Sequence, residues 1–142
     1  MAVERLDRES IKQVLPHRDD MALLDEAALL EDGTAEGIYR VRGDEFFLRG
    51  HFPGNPVVPG VIQCEIIAQA SCMLMKDAIP GATPYYAGIN NVRFRRPVRP
   101  GDTIVVRSRL VRSKLNLYVV QAEAKVGDEL CASGEFVFMI AK

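Results

Sequence analysis

The C-terminal part of the chain alternates apolar and polar residues with a period of two. Residues 102–113 bring Ile104, Val106, Ser108 and Leu110 to one side, and residues 115–126 bring Tyr118, Val120, Ala122 and Ala124. Residues 130–140 bring Leu130, Ala132, Gly134, Phe136, Phe138 and Ile140 together in the same way. Alternate side chains of a strand share a face, so the pattern predicts three β-strands, each with one buried face. Gly127-Asp128 predicts a two-residue hairpin, and Pro100-Gly101-Asp102 another turn. Strand character begins at Tyr85.

The pattern changes over Gly60 to Ile79. Apolar residues there fall on nearly every side of a helix, which means burial all round. One narrow stripe is polar: Glu65, Gln69, Cys72 and Lys76 follow at i, i+4, i+7 and i+11. Pro59-Gly60 opens this helix and Pro80-Gly81 stops it. Upstream, Asp7 is placed to cap a helix over Arg8 to Leu15, ended by Pro16. Met21 to Leu30 is apolar with weak periodicity and fits helix or strand. Thr34 to Arg42 reads as a strand weakened by Gly37. One buried helix before an antiparallel meander predicts an α+β fold, with the sheet wrapped round the helix. The chain, residues 1–142, reads as one domain without repeats or linkers.

Composition narrows the function. The net charge is -1, which argues against nucleic acid as a partner. Cys64, Cys72 and Cys131 have no metal-type spacing and read as buried thiols of a reducing compartment. With two histidines and no Cys/His cluster, no metal site is expected. The first ten residues contain no apolar core of a leader. The run from Val61 to Met75 is broken by Gln63, Glu65 and Gln69 and is shorter than the ~20 residues of a membrane span. A cytoplasmic protein that neither crosses nor binds a membrane is expected.

The candidate chemistry lies between Phe46 and Gln69. His51 sits in a loop stiffened by Gly and Pro, and imidazole suits a general base near neutral pH. Glu65 stands inside the apolar helix, where desolvation would favour the protonated acid, and Gln69 one turn on can orient it. Pro59, Gly60 and Val61 form the helix start, whose free N–H groups suit a developing oxyanion. An ordinary Pro-started helix explains that motif equally well. A base, an acid and an oxyanion site together suit elimination of water β to a thioester carbonyl, with no metal or cofactor.

These residues resemble the FabZ-type 3-hydroxyacyl-acyl carrier protein dehydratases. LPHR (Leu15 to Arg18), GHFPGNPVVPGV (Gly50 to Val61) with Glu65 and Ala68-Gln69, and AGINNVRFRRPVRPGD (Ala87 to Asp102) resemble three blocks of that family, in order. The resemblance implies a hot-dog fold, His51 and Glu65 as the catalytic pair, and Gly60 as the oxyanion donor. It implies a homodimer whose sites combine residues of two subunits, and a trimer of such dimers. Glu65, where related dehydratase/isomerases carry Asp, favours the non-isomerising branch. Gln63-Cys64 departs from the aliphatic residues usual before the acid, and Asp19-Asp20-Met21 from the usual sequence after LPHR. Phe52 and Gln69 are supporting candidates, and Tyr85 or Tyr86 is implied to line or gate an acyl tunnel.

Eight basic residues and one acidic residue lie between Arg93 and Lys114. They read either as solvated strand faces or, with Arg93, Arg95, Arg96 and Arg99, as a docking patch for acidic acyl carrier protein. His17, within LPHR, reads as structural. Against the dehydratase stand a hot-dog acyl thioesterase and a non-catalytic acyl-thioester-binding domain.

Overall fold

The computed structural model describes residues 4–142. Residues 1–3, part of the segment read above for a leader, lie outside the described residues. Seven strands among these residues form one antiparallel sheet. They are β1 (Glu4–Asp7), β2 (Glu26–Leu29), β3 (Ala35–Arg40), β4 (Thr83–Phe94), β5 (Thr103–Lys114), β6 (Leu117–Val126) and β7 (Glu129–Ala141), in the order β1-β2-β3-β5-β6-β7-β4. A one-turn helix α1 (Arg8–Ile11) follows β1, and the long helix α2 (Gly60–Ser71) packs on β3, β5 and β6. This is the hot-dog arrangement, with the sheet curled round α2. Among the described residues, no helix is long and apolar enough to cross a membrane.

The period-two pattern places the core. Ile104, Val106, Ser108, Val120, Ala122, Ala124, Ala132, Phe136 and Phe138 are buried on the face toward α2. The Gly127-Asp128 hairpin joins Val126 to its partner Glu129. Leu110 departs from expectation and is 42% exposed. It still pairs in register with buried Val120, and the strand bulges directly after it, between Leu110 and Arg112. The weakly periodic segment resolves into loop and the short strand β2, with Leu23, Leu24, Ala27 and Ala28 buried.

Both helices are shorter than the sequence pattern suggests. Asp7 caps α1 by accepting from Ser10 N–H at 2.9 Å, but beyond Ile11 the chain relaxes into turns before Pro16. Helix α2 tightens from Cys72 to Met75 into a 3-10 turn. Three residues per turn, in place of 3.6, keep Met73 and Met75 in the core and rotate Lys76 off the line of Glu65 and Gln69.

Gly37, which weakened the strand pattern, has a packing reason. A Cβ there would lie 2.5 Å from Cβ of Ala70, so the bare glycine lets β3 approach α2. Gly37→Ala should destabilise the protein by about 1–3 kcal/mol through overpacking, read as a lower denaturation midpoint. An unchanged midpoint would show that helix and sheet do not press together at this point.

The outer face of the sheet carries a cross-strand row. Arg5, Ala28, Glu36 and Arg107 pair in register on β1, β2, β3 and β5. Ala28 is small enough for Arg5 Nη2 to reach Glu36 Oε1 at 2.7 Å, while Arg107 Nη2 meets Glu36 Oε2 at 2.6 Å. Burial pushes the Glu36 carboxyl up, but the two guanidiniums win and hold it below the usual 4.5. The folded form thus binds the proton more weakly than the unfolded chain. Its stabilisation is fully present above the unfolded value and is lost as pH falls through the folded one. Because both arginines are solvent-exposed, Glu36→Gln should cost about 1–2 kcal/mol at neutral pH. Thermal melts of the two proteins should converge below about pH 4. A constant difference across that range would remove Glu36 as the titrating group.

Candidate active site

His51 lies in a loop tied to itself by backbone hydrogen bonds. Its N–H donates to Leu48 carbonyl at 3.1 Å, and its carbonyl accepts from Val57 N–H at 2.8 Å. Val58 N–H anchors the loop to Val98 carbonyl at 2.8 Å. The imidazole Nδ1 lies 2.9 Å from Val57 carbonyl. A carbonyl can only accept, so Nδ1 carries a proton, and in the neutral ring Nε2 then keeps the lone pair that a base requires. The exposed Phe52 ring stacks on the imidazole at 4.2 Å and steadies its plane.

The cavity beside His51, about 360 Å³, is also lined by Gly60, Gln63, Phe94, Arg95 and Arg96. It therefore reaches the N-terminus of α2. Pro59 provides no side-chain cap, so Gly60 and Val61 N–H have no partner within the helix. A Cβ on Gly60 would meet the Phe94 ring at 3.0 Å. The close approach that this glycine permits within the chain is that of an aromatic ring.

Glu65 belongs to a second, smaller cavity, about 70 Å³, with His17, Ala68, Cys72, Tyr86 and Phe138. That is well below the roughly 300–1,000 Å³ of ordinary ligand pockets and too little for a long acyl chain. Gln69 is fixed by the segment before β2, accepting from Leu23 N–H at 3.1 Å and donating to Met21 carbonyl at 2.7 Å. Its Nε2 also donates to Glu65 Oε2 at 2.9 Å. The carboxylate is less enclosed than the apolar helix implied, with 22% of its side chain exposed, because it opens on the cavity.

His17 is the residue that sequence reasoning missed. Its Nε2 lies 3.2 Å from Glu65 Oε2, far along the chain, and among the described residues its Nδ1 is buried without a partner. Arg18 shapes this turn by donating to the carbonyls of Leu15, His17 and Lys12. The signal available in sequence was the LPHR block itself. His17 and Gln69 both meet Oε2, which leaves Oε1 of Glu65 for a proton.

Of the two tyrosines, Tyr86 lines the Glu65 cavity, stacks on Phe138 and donates to Cys64 carbonyl. Burial pushes its hydroxyl pKa well above the ordinary range, with nearby Cys64 and Glu65 adding to the shift, so it stays a donor. Tyr85, one residue away on the strand, faces outward and is 57% exposed. The three cysteines are free and buried. Burial, with a smaller push from Glu65, raises the Cys72 thiol to about 12, so it is inert. Arg93, Arg95 and Arg99 are exposed, whereas Arg96 is engaged by Asp102 at 3.0 Å and Glu129 at 3.2 Å. Among the described residues, no group of three or more His, Cys, Asp or Glu is arranged to hold a metal ion.

The structure thus gathers Gly60 beside His51, and Gln69, His17 and Tyr86 beside Glu65, but His51 and Glu65 line separate cavities.

Comparison with known proteins places this arrangement. A FabA-like domain matches residues 15–135. The chain is 43% identical over 137 residues to the 3-hydroxyacyl-[acyl-carrier-protein] dehydratase FabZ of Caldicellulosiruptor saccharolyticus, covering 94% of this chain and 98% of that one. Its fold is similar to a chain of the dehydratase heterocomplex ApeI:P from Xenorhabdus doucetiae, with TM-score 0.79, 18% identity, and 93% and 91% of the two chains covered. It also resembles the fluoroacetyl-CoA thioesterase FlK, with TM-score 0.65, 16% identity, and 75% and 84% covered. The fold alone is therefore shared by dehydratases and thioesterases, and the distinction rests on sequence. With a match through both the histidine loop and the helix acid, the chain belongs to the FabA-like family, among its FabZ 3-hydroxyacyl-[acyl-carrier-protein] dehydratases.

Proposed function

We propose that this protein converts (3R)-hydroxyacyl-[acyl-carrier-protein] to trans-2-enoyl-[acyl-carrier-protein] and water in type II fatty acid biosynthesis. The observation that carries the reading is the Nδ1 contact of His51 with Val57 carbonyl, which leaves Nε2 bare on a side chain lining the cavity at the α2 N-terminus. Nε2 takes the C2 proton, and the charge that develops on the thioester oxygen is held by Gly60 N–H, with Val61 N–H beside it. The C2 electron pair forms the double bond as the C3–O bond breaks, and Glu65 gives the departing hydroxyl a proton, releasing water. Gln69 and His17 hold the Glu65 carboxyl in place. The chemistry needs no metal or cofactor.

The two halves of this machinery come from two subunits of a homodimer, in a trimer of dimers. Three features support the dimer. The base and the acid line separate cavities; the acid's cavity is too small for a chain; and the edge strand β4 exposes Tyr85, Ile89 and Phe94 beside unpaired backbone. Acyl carrier protein docks on Arg93, Arg95 and Arg99, with Arg96 held back by its own carboxylates. Tyr86, rather than the outward Tyr85, lines the acyl tunnel. Residues 1–142 act as one domain in the cytoplasm. The shared fold keeps a thioesterase in view, and a non-catalytic acyl-binding domain is the remaining rival.

Mass spectrometry of a 3-hydroxyacyl-acyl carrier protein incubated with the enzyme separates the three. Loss of one water from the intact thioester is the expected result. Release of the free acid would establish the thioesterase, and an unchanged thioester with measurable binding would leave only an acyl-binding domain.

A further inference from the structure

Helix α2 is polar on two sides. Glu65 and Gln69 face the smaller cavity and are hydrogen-bonded to each other. Gln63 faces the other way and lines the larger cavity with His51 and Gly60. It is only 4% exposed, and its Oε1 is buried without a hydrogen-bond donor among the described residues. A buried amide oxygen without a partner is unfavourable, and an apolar side chain of the same volume would avoid that penalty. A half-turn of the amide exchanges its oxygen and nitrogen, so the oxygen can be turned to a donor that enters the cavity.

We propose that Gln63 is a substrate-recognition residue whose Oε1 accepts a hydrogen bond from the 3-hydroxyl of the acyl chain. The assignment rests on the dehydratase reading above. A 3-hydroxyacyl group carries one hydrogen-bond donor, that hydroxyl; its hydrocarbon and thioester carbonyl have none. Gly60 and Gln63 lie one turn apart on the same face of α2, about 4.5 Å along the axis. A thioester oxygen at Gly60 N–H therefore leaves the C3 hydroxyl within reach of Gln63. A hydroxyl has one proton and two lone pairs. Once its proton is given to Gln63, a lone pair remains free to receive the proton of Glu65 as the C3–O bond breaks. Gln63 thereby sets the direction of the leaving group. It also separates substrate from saturated and enoyl chains, which have no hydroxyl to offer.

The test replaces Gln63 by methionine, apolar and of similar length. Two quantities are read on the intact oligomer: kcat/KM for a 3-hydroxyacyl pantetheine thioester, and the inhibition constant of the saturated thioester of equal chain length. In Gln63→Met, kcat/KM should fall about tenfold, the usual scale for one lost hydrogen bond to substrate, with the inhibition constant unchanged. Equal weakening of both ligands would mean that the amide serves the pantetheine arm or the fold, and would overturn the assignment. So would unchanged kinetics, or dissociation of the variant into monomers, which would place the missing donor on a neighbouring subunit. A wild-type protein that releases no water defeats the dehydratase reading itself. A wild-type dehydratase with an unaffected variant defeats only the role of Gln63.

Discussion

Replacing His51 with alanine should lower dehydration by at least about 100-fold, the low end of what a lost general base costs. The expectation follows from the wiring of the ring. Nδ1 is committed to Val57 carbonyl, so Nε2 alone can take the C2 proton. The loop itself is held by backbone bonds at Leu48, Val57 and Val98 that do not involve the imidazole. The variant should therefore remain folded, with oligomeric mass and melting temperature close to wild type. Rates near wild type in a folded His51→Ala protein would remove the base assignment. A collapse of the fold would instead show that the ring's bond to Val57 is structural.

Glu65→Gln should be impaired at least as severely, again by about 100-fold or more, because an amide cannot protonate a leaving hydroxyl. The substitution is nearly isosteric, and an amide oxygen can still accept from Gln69 and His17 in place of Oε2. Loss of activity can then be assigned to the missing proton rather than to packing. The two variants together test the composite site. A dimer of one His51→Ala subunit and one Glu65→Gln subunit contains one doubly damaged site and one intact site, if base and acid belong to different chains. Random mixing should then restore roughly a quarter of wild-type sites, as pairing in a two-fold dimer dictates. If both residues act within one chain, every site stays damaged and mixing restores nothing.

Legibility followed the range of the interactions. The strands β5, β6 and β7 and the core of α2 could be read because period two and all-round apolarity are local patterns. β1 and β2 could not, since four-residue strands carry too little alternation and gain their pairing from distant neighbours. Gly37 looked like a weakness in a strand until Ala70, far along the chain, was found against it. Leu110 fitted its pattern and was still exposed, because how far the core covers a strand depends on elements remote in the chain.

The same division runs through the site. The histidine loop, the glutamate inside an apolar helix and the helix start are all written within one continuous stretch, and Gln69 stands one turn from the acid it donates to. Residue type and local spacing were enough to propose a base, an acid and an oxyanion site, and the resemblance of three motif blocks pointed to the family. Folding decided which of these groups meet. It brought His17 to Glu65 across nearly fifty residues of chain, turned Tyr86 inward and Tyr85 out, and tied Arg96 to Asp102 and Glu129. It also set His51 and Glu65 in separate cavities. The physical reason is that chemistry is carried by single side chains, which sequence specifies one by one. Distance and direction between them depend on packing and on hydrogen bonds closed by residues remote in the chain.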